Sequence, residues 1–340
     1  MIRLNIVAWH NGGGLSRDID IIISALPIAR FRVTVNGFPY EEAKVRRRRI
    51  LHRAHNVRLQ WLPRQPLATA PYDINLFLED ISPSFFRQAR VNVFIPNPEW
   101  FRKSQYRHLQ RIDSVLCKTK SGQSIFEALG CPTRFISFTS DDRLDPAFSE
   151  QKQAGFLHLA GRSWQKGTKA LTDLWQRHPE WPLLTVVQSP KTYSQSGVKL
   201  IRAPNIKHLL ERPDNDSLRQ LQNTYSIHLC PSEAEGFGHC IAEAMSCCAV
   251  TLTTDGAPMN ELITRDRGIL VAHCRTRKQR AGINYYVDRD DLQQKIEQII
   301  NMEQSSLQAL GQNARKWYVQ NDQLFRSQFI EALEATLLAS

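Results

Sequence analysis

Two glutamates stand eight positions apart, Glu235 and Glu243, in the stretch PSEAEGFGHCIAEAM. A Gly-Phe-Gly turn follows Glu235, whereas Glu243 falls inside the helical pattern that comes next. The backbone amides of Phe237, Gly238 and His239 would form the start of that helix, where unpaired N–H groups and partial positive charge suit a phosphate. A carboxylate beside a diphosphate suits the hydroxyl groups of a ribose or a sugar. The pattern therefore favours a ligand that carries both a phosphate and hydroxyl groups.

The two glycines of this turn, Gly236 and Gly238, have no Cβ and let the backbone approach a ligand closely. A simpler interpretation is also open at this point. Glu235 could complement the helix dipole, and Glu243 could be an ordinary exposed helix residue.

A second segment, HLAGRSWQKGTKAL, also joins a strand-like run to a helical one. Arg162 and Lys166 flank its turn, and two cations at a strand end supply charge for a diphosphate leaving group. The alternative is a simple basic turn. The two segments together favour a common phosphate-binding site.

The elements that must hold these residues alternate between short β-rich runs and helical stretches in both halves of the chain, which is typical of parallel sheets with crossover helices. A chain of 340 residues is long enough for two domains. We predict an α/β fold with an N-terminal domain at 1–152, a C-terminal domain at 153–320 and a final helix at 321–340 that packs back toward the N-terminal domain. Ligands of such domains lie at the carboxyl ends of the strands, in the crevice between them.

The second half resembles the family 4 glycosyltransferases through GR…KG, PSEAEGFG…AEAM and TDGAPMNELI. The resemblance implies the GT-B fold, in which two Rossmann-like parallel-sheet domains face each other across a cleft. It also implies that Glu243 binds the nucleotide ribose, that Glu235 binds a hydroxyl of the donor sugar, and that Arg162 and Lys166 hold the diphosphate. The implied transfer retains the anomeric configuration and needs neither a metal ion nor another cofactor.

In the first half, the HNGGG loop is similar to the family's glycine loop after the first strand, which implies that Gly13 and Gly14 approach the donor diphosphate. Two later strand ends, LFLEDIS and FIPNPEWF, carry polar residues that are candidates for the acceptor site or a catalytic base, with helix capping or loop structure as the alternative. These acceptor-side candidates are Glu79, Asp80, Asn97 and Glu99.

Two Asp-x-Asp strings resemble the metal-binding motif of the other glycosyltransferase fold. They begin at Asp18 and at Asp214, both at expected helix starts. We predict helix caps there, and therefore no metal site.

The net charge of +11 is uneven, since residues 1–150 hold 22 Lys and Arg against 14 Asp and Glu. The densest patch, KVRRRRILHR, contains four consecutive arginines from Arg46 to Arg49. This patch could be a solvated helix face, a contact with an anionic membrane surface or, less favoured, a contact with nucleic acid. A lipid-linked or lipopolysaccharide-type acceptor at such a membrane would account for the bias.

The sequence contains no apolar run of membrane-spanning length, no signal-peptide pattern and no CxxC pair among its seven cysteines. We therefore expect a cytoplasmic protein, in one version peripheral to the inner face of the membrane. The predicted function is transfer of a hexose-type sugar from a nucleoside diphosphate, such as UDP or GDP, to an acceptor hydroxyl in cell-envelope glycolipid, lipopolysaccharide or polysaccharide synthesis. The alternatives are a nucleotide-sugar epimerase of related architecture, a nucleotide-sugar-binding protein, and a glycosyltransferase or binding protein acting on a nucleic acid.

Overall fold

The structure is a computed structural model and describes residues 1–10, 12–39, 70–149, 152–161, 163–196, 203–211 and 213–340. Two predicted features lie outside these residues: Arg162, and the arginine patch Arg46 to Arg49.

The chain forms two compact units, and each contains its own sheet. Unit 1 comprises Met1–Phe138, Arg280–Gly282 and Gln323–Ser340, and unit 2 comprises Thr139–Gln279 and Ile283–Asp322. The first crossing thus comes after Phe138 and not at the predicted residue 152. The reason lies in the segment that follows, which is bound to the second unit by hydrogen bonds such as those of Arg143 to Gln222 and Asn215.

Unit 1 contains a six-stranded sheet in the order β2-β1-β3-β4-β5-β6, and its neighbouring strands pair in parallel. Its strands are β1 (Ile2–His10), β2 (Phe31–Pro39), β3 (Tyr72–Leu78), β4 (Ala89–Ile95), β5 (Ser114–Cys117) and β6 (Thr133–Phe135). The middle strands are almost continuously buried, as expected for a parallel sheet covered on both faces.

Unit 2 repeats this plan with a parallel sheet in the order β12-β11-β10-β7-β8-β9. Its strands are β7 (Gln153–Gly161), β8 (Leu184–Gln188), β9 (Ile206–Leu209), β10 (Tyr225–Cys230), β11 (Val250–Thr254) and β12 (Ile269–Val271). Two further strands, β13 (His273–Gln279) and β14 (Gly282–Val287), pair separately as a hairpin. The α/β fold with two parallel sheets is therefore confirmed.

Helices connect the strands in both units. They are α1 (Gly14–Ala25), α2 (Lys120–Ala128), α3 (Pro146–Ser149), α4 (Thr168–Arg177), α5 (Pro190–Ser196), α6 (Asn215–Thr224), α7 (His239–Ser246), α8 (Met259–Leu262), α9 (Arg289–Ile300) and α10 (Gln304–Leu338). Two 3₁₀ segments span Pro83–Phe85 and Lys103–Arg111. None of the helices within the described ranges is both long and apolar enough to cross a bilayer.

The last part of α10 belongs to unit 1 and completes its core. Phe325 and Phe329 are fully buried there, and the Phe325 ring packs edge-on against Phe138 with centroids 4.9 Å apart. Arg30 and Glu334 form an ion pair nearby. Residues from both chain ends therefore build one hydrophobic core, because burial of these aromatic rings strongly favours their association.

A row of asparagines crosses the first sheet inside otherwise apolar strands. Asn5 donates to Asn75 over 2.8 Å, Asn75 donates to Asn92 over 2.9 Å, and Asn36 donates to Asn5 over 2.6 Å. Asn5 and Asn75 are completely buried, so these mutual hydrogen bonds offset the cost of removing their amides from water. The row also fixes the register of four neighbouring strands.

Candidate functional site

The centre of the unit 2 site is an ion pair between Lys166 and Glu235. Lys166 follows β7 and Glu235 follows β10, and these strands are neighbours in a parallel sheet, so both side chains come from its carboxyl edge. Cys240, at the start of α7, joins the pair: its Sγ lies 3.6 Å from Lys166 Nζ and 3.9 Å from Glu235 Oε1. The sequence predicted Lys166 and Glu235 as parts of one donor site, and the structure shows that their side chains form an ion pair.

A close backbone approach brings the two strand-end loops into contact. Gly167 has φ of 72°, and a Cβ at this position would lie 2.2 Å from the carbonyl oxygen of Pro231. Only glycine fits both constraints. A hydrogen bond also joins the two loops, because the Glu233 amide donates to the carbonyl oxygen of Gln165 over 2.8 Å.

The start of α7 is the predicted phosphate-binding feature, and the helix indeed begins at His239. Gly238 is the N-cap residue with φ of 114°, and no side chain caps this end. Phe237 is buried, whereas Glu235 and Gly236 are half-buried. His239 Nδ1 lies 3.0 Å from Ser140 Oγ. The helix end therefore presents its partial positive charge beside Lys166.

Glu243 lies one turn into α7 and is only 3% exposed. Its Oε2 accepts a hydrogen bond from Gln222 Nε2 over 2.7 Å, and its Oε1 accepts one from Ser140 Oγ over 3.2 Å. The alternative interpretation of Glu243 as an ordinary exposed helix residue is therefore wrong. Such a buried carboxylate needs these donors, and they also fix its position.

The electrostatics of the site favour a charged Lys166. Burial alone would lower the pKa of its ammonium group, but the neighbouring Cys240 and Glu235 outweigh burial and raise this pKa above its ordinary value. The pKa of the Cys240 thiol is lowered, chiefly by its hydrogen bond with Cys230 and also by Lys166. The site thus holds a permanent cation at the strand edge.

Unit 1 has a second cluster at the carboxyl ends of its strands, around Glu79. The Asp80 amide donates to the Leu78 carbonyl over 2.7 Å, which closes a three-residue turn centred on Glu79 with φ of 64°. A residue other than glycine in this conformation is strained and often marks a functional position. Asn97 Nδ2 donates to Glu79 Oε2 over 3.0 Å, and burial raises the pKa of the Glu79 carboxyl.

This unit 1 cluster continues through Lys118, which the sequence analysis missed. Lys118 Nζ donates to Asn97 Oδ1 over 3.0 Å and to Asp18 Oδ2 over 2.6 Å, and it lies over the Phe138 ring. The strand-like run SVLCKT places Lys118 at the end of β5, the same kind of position that revealed the other candidates.

The prediction that Asp18 caps a helix is wrong. The helix α1 begins at Gly14, so Asp18 lies inside it and is 3% exposed. Its spacing from Leu15 and Ile22, three and four residues away, places it on the apolar face of α1, and this spacing was visible in the sequence. Asp214, by contrast, is the N-cap of α6 and accepts a hydrogen bond from the Ser217 amide, which confirms the prediction there.

The other predicted residues of unit 1 occupy varied positions. Gly13 is the N-cap of α1 and Gly14 its first residue. Asp80 accepts a hydrogen bond from Gln105 Nε2, and Glu99 is buried. The residues that the structure describes contain no group of three or more His, Cys, Asp or Glu side chains suited to a metal ion.

Residues 149–317 match the family model for glycosyl transferases group 1. This stretch covers most of unit 2 and slightly less than half of the chain, and it includes Lys166, Glu235 and Glu243. A comparison with curated proteins finds no significant match by sequence.

Several solved structures are similar over nearly the whole chain. Anabaena HepE in complex with UDP and glucose is 15% identical with a TM-score of 0.69, over 98% of this chain and 100% of that one. Sucrose-phosphate synthase from Thermosynechococcus elongatus is 13% identical with a TM-score of 0.72, over 100% of both chains. A glycosyltransferase from Rickettsia africae is 13% identical with a TM-score of 0.71, over 100% and 99%. At identities this low, the structural similarity establishes the fold alone, and this fold is GT-B.

Proposed function

We propose that the protein is a nucleotide-sugar-dependent glycosyltransferase that moves a hexose-type sugar to an acceptor hydroxyl with retention of configuration. The observation that carries the proposal is the Lys166–Glu235 pair beside the N-terminus of α7, at a parallel-sheet edge within the stretch that matches group 1 glycosyl transferases. Relatives of the same fold bound to UDP, glucose and UDP-glucose support a UDP-sugar as the donor.

In this proposal, Lys166 and Arg162 bind the donor diphosphate, with Gly13 and Gly14 as further donor-side candidates. Breaking the sugar–phosphate bond places negative charge on the leaving phosphate. A fixed cation and the amides of Phe237, Gly238 and His239 stabilise that charge as it develops. Lys166 pairs with Glu235 in this structure. When the donor binds, we expect its phosphate to replace Glu235 as the partner of the Lys166 ammonium group.

The two carboxylates of the motif have different roles in the proposal. Glu235 is half-buried, and we assign it to a hydroxyl of the donor sugar. Glu243 is assigned to the ribose, which requires Ser140 or Gln222 to yield one hydrogen bond to the incoming hydroxyl. A carboxylate oxygen accepts more than one hydrogen bond, so it can bind a ribose hydroxyl while one of these donors stays in place.

On the acceptor side, we keep the four candidates of unit 1. Glu79 has the strongest case because its strained turn and its raised pKa suit a group that exchanges a proton with an acceptor hydroxyl. Asn97 orients it. Asp80 is a weaker candidate because it already accepts a hydrogen bond from Gln105, and Glu99 is weaker because it is buried.

We also propose that the acceptor belongs to cell-envelope glycolipid, lipopolysaccharide or polysaccharide synthesis, on the cytoplasmic side of the membrane. The excess of basic residues in the first half supports an acceptor at an anionic surface.

The test is a set of transfer assays with UDP- and GDP-linked hexoses and mixed hydroxyl acceptors, with and without EDTA. We expect transfer with retained configuration that survives EDTA, because fixed cations supply the charge. Interconversion of the donor sugar without transfer would instead establish an epimerase. A strict metal requirement would contradict the assigned chemistry.

A further inference from the structure

The hairpin β13–β14 carries a cluster of exposed cations on its first strand, which belongs to unit 2. Six consecutive residues of β13, from His273 to Lys278, are exposed, and they include Arg275, Arg277 and Lys278. The sequence from 273 to 287 contains no Asp or Glu. Most strands bury one face, so a strand exposed on both faces needs a reason outside the hydrophobic core.

This hairpin packs on the loops that carry the candidate donor site. Gln165 Nε2 donates to Gln279 Oε1 over 2.6 Å, directly beside Lys166. The Tyr285 amide donates to the carbonyl oxygen of Glu233 over 2.7 Å, two residues before Glu235. A Cβ at Gly256 would lie 2.4 Å from the Tyr285 ring, so the loop after β11 also fits closely against the hairpin. The cations of β13 are thus fixed at the edge of the site.

Internal ion pairs do not account for these cations. Arg275 lies over the Tyr286 ring at 4.2 Å, and its charge lowers the pKa of the half-buried Glu233 carboxyl, which burial raises on balance. For Arg277 and Lys278, no ion pair with any described residue is found. Successive side chains of a strand alternate between faces, so Arg277 and Lys278 point to opposite sides of the ribbon.

An exposed tryptophan lies in the same region. Trp164 is 56% exposed, although Gln165 beside it is buried and hydrogen-bonded to Gln279. An exposed tryptophan on a loop that hydrogen bonds hold in place offers a large, rigid apolar face to a ligand. The flat faces of sugar rings are apolar and stack on aromatic rings of this kind.

We propose that Trp164 and the hairpin cations Arg277 and Lys278 form a binding site for an acidic glycan, whose sugar rings lie on Trp164 and whose carboxylate or phosphate groups meet the two cations. The role of this glycan as the acceptor rests on the proposed function, whereas its binding does not.

The geometry favours an acidic glycan over a membrane and over a nucleic acid. A flat bilayer would meet one face of the ribbon, whereas a narrow chain that crosses the strand meets Arg277 on one side and Lys278 on the other. A nucleic acid would be expected to meet a broader array of phosphate-binding residues. The position next to Lys166 and Glu235 also suits a ligand made of sugars.

The test is calorimetry at low ionic strength with three ligands: oligogalacturonate, a phosphorylated mannan oligosaccharide and a neutral maltooligosaccharide of similar length. We expect the protein to prefer one or both acidic ligands, and the two separate carboxylate from phosphate recognition. The double variant Arg277→Gln/Lys278→Gln should bind the preferred ligand about tenfold more weakly, since two exposed charge contacts of modest strength are lost.

The matched control is Lys207→Gln/Lys316→Gln, which removes the same charge from two exposed positions elsewhere on unit 2. It should bind like the unaltered protein. Trp164→Ala should weaken binding and Trp164→Phe should largely restore it, because the phenyl ring keeps a stacking face. Equal loss in both charge variants, equal affinity for the neutral chain, or a hairpin-dependent affinity only for anionic vesicles or DNA would each overturn the proposal.

A thermal-shift measurement with UDP-sugars, run on the same variants, keeps the two proposals apart. We expect the hairpin variant to keep the donor-induced shift. Suppose that neither the unaltered protein nor any variant shows a thermal shift with a nucleotide sugar, while the glycan result holds. The proposed transferase function then fails and the glycan site stands. The reverse pattern rejects the glycan site alone.

Discussion

Both units place a lysine and a carboxylate at the carboxyl edge of a parallel sheet, yet the two pairs differ in their access to water. In unit 1, the side chains of Lys118 and Asp18 are 3% and 4% exposed, and Asn97 binds the same ammonium group. In unit 2, the side chains of Lys166 and Glu235 are 18% and 11% exposed. The first pair is enclosed, whereas the second can exchange its partner for a ligand. A lysine–carboxylate pair at the edge of a sheet therefore need not have the same function in both units.

The largest effect should come from opening the enclosed pair. Asp18→Ala leaves Lys118 buried and without its carboxylate, so we expect the free energy of unfolding to fall by about 3–5 kcal/mol. The measurement is denaturant unfolding of the whole chain. Asp20→Ala is the control, since Asp20 belongs to the same Asp-Ile-Asp string but is exposed. Similar losses in both variants would show that the comparison between the pairs is unsound.

Breaking the accessible pair should instead affect catalysis. Lys166→Ala should lower kcat about 10²–10³-fold with a smaller change in the donor KM, because the pull of a fixed cation grows as the leaving phosphate becomes charged. Steady-state kinetics with the preferred donor measures this. Lys169→Ala, an exposed lysine three residues further on that pairs with Asp173, should leave both constants unchanged. A pure KM effect would assign Lys166 to ground-state binding only.

Glu243 sharpens the comparison because it is as buried as the unit 1 pair but lies in the motif of unit 2. We expect Glu243→Gln and Glu243→Ala to weaken donor binding by roughly 1.5–3 kcal/mol, the range for a hydrogen bond to a charged group. Calorimetry with the donor nucleotide sugar measures this, with the exposed Glu303→Ala as control. Unchanged affinity in a folded variant would restrict ligand contact to the accessible residues.

The smallest effect per residue concerns acid stability, which should differ between the units. Burial holds the pKa of His158 and of His228 in unit 2 at about 4, below the ordinary value of 6.5. These folded histidines bind fewer protons than the unfolded chain, so their contribution is complete above pH 6.5 and is lost as the pH falls toward 4. At pH 5, each should cost roughly 2 kcal/mol.

Hydrogen exchange measured at pH 7 and pH 5 tests this, with the strands of unit 2 expected to lose more protection than those of unit 1. His158→Gln should reduce this pH dependence, whereas replacement of the exposed His273 should not. Equal loss of protection in both units would assign the acid sensitivity to other groups.

Much of the fold was predictable because parallel strands are buried on both faces and therefore form apolar runs, as in β3 and β4. The short strands β6 and β9 gave weak signals of this kind. The hairpin β13–β14 was missed because six of its consecutive residues are exposed and carry no hydrophobic alternation.

The site was predictable where local sequence determines local geometry. The glycines of the GFG stretch predicted the turn before α7, where Gly238 has a positive φ. The partners were not predictable, since the donors to Glu243 come from Ser140 and Gln222, which are remote in sequence. Lys118 itself lies at a strand end that the sequence shows, but its partner Asp18 was not predictable because it lies one hundred residues away in α1.

The return of the last residues to unit 1 has a consequence during protein synthesis. Phe138 packs against Phe325, which is translated much later. The first unit therefore cannot complete its core as soon as its own sheet has left the ribosome. At about 5–20 residues per second, the intervening chain takes roughly 10–40 s to translate. During that interval, an apolar surface of the nascent first unit stays uncovered while unit 2 is synthesised. The order of folding is therefore set by the end of translation, and chaperones have their main opportunity to bind the half that is synthesised first.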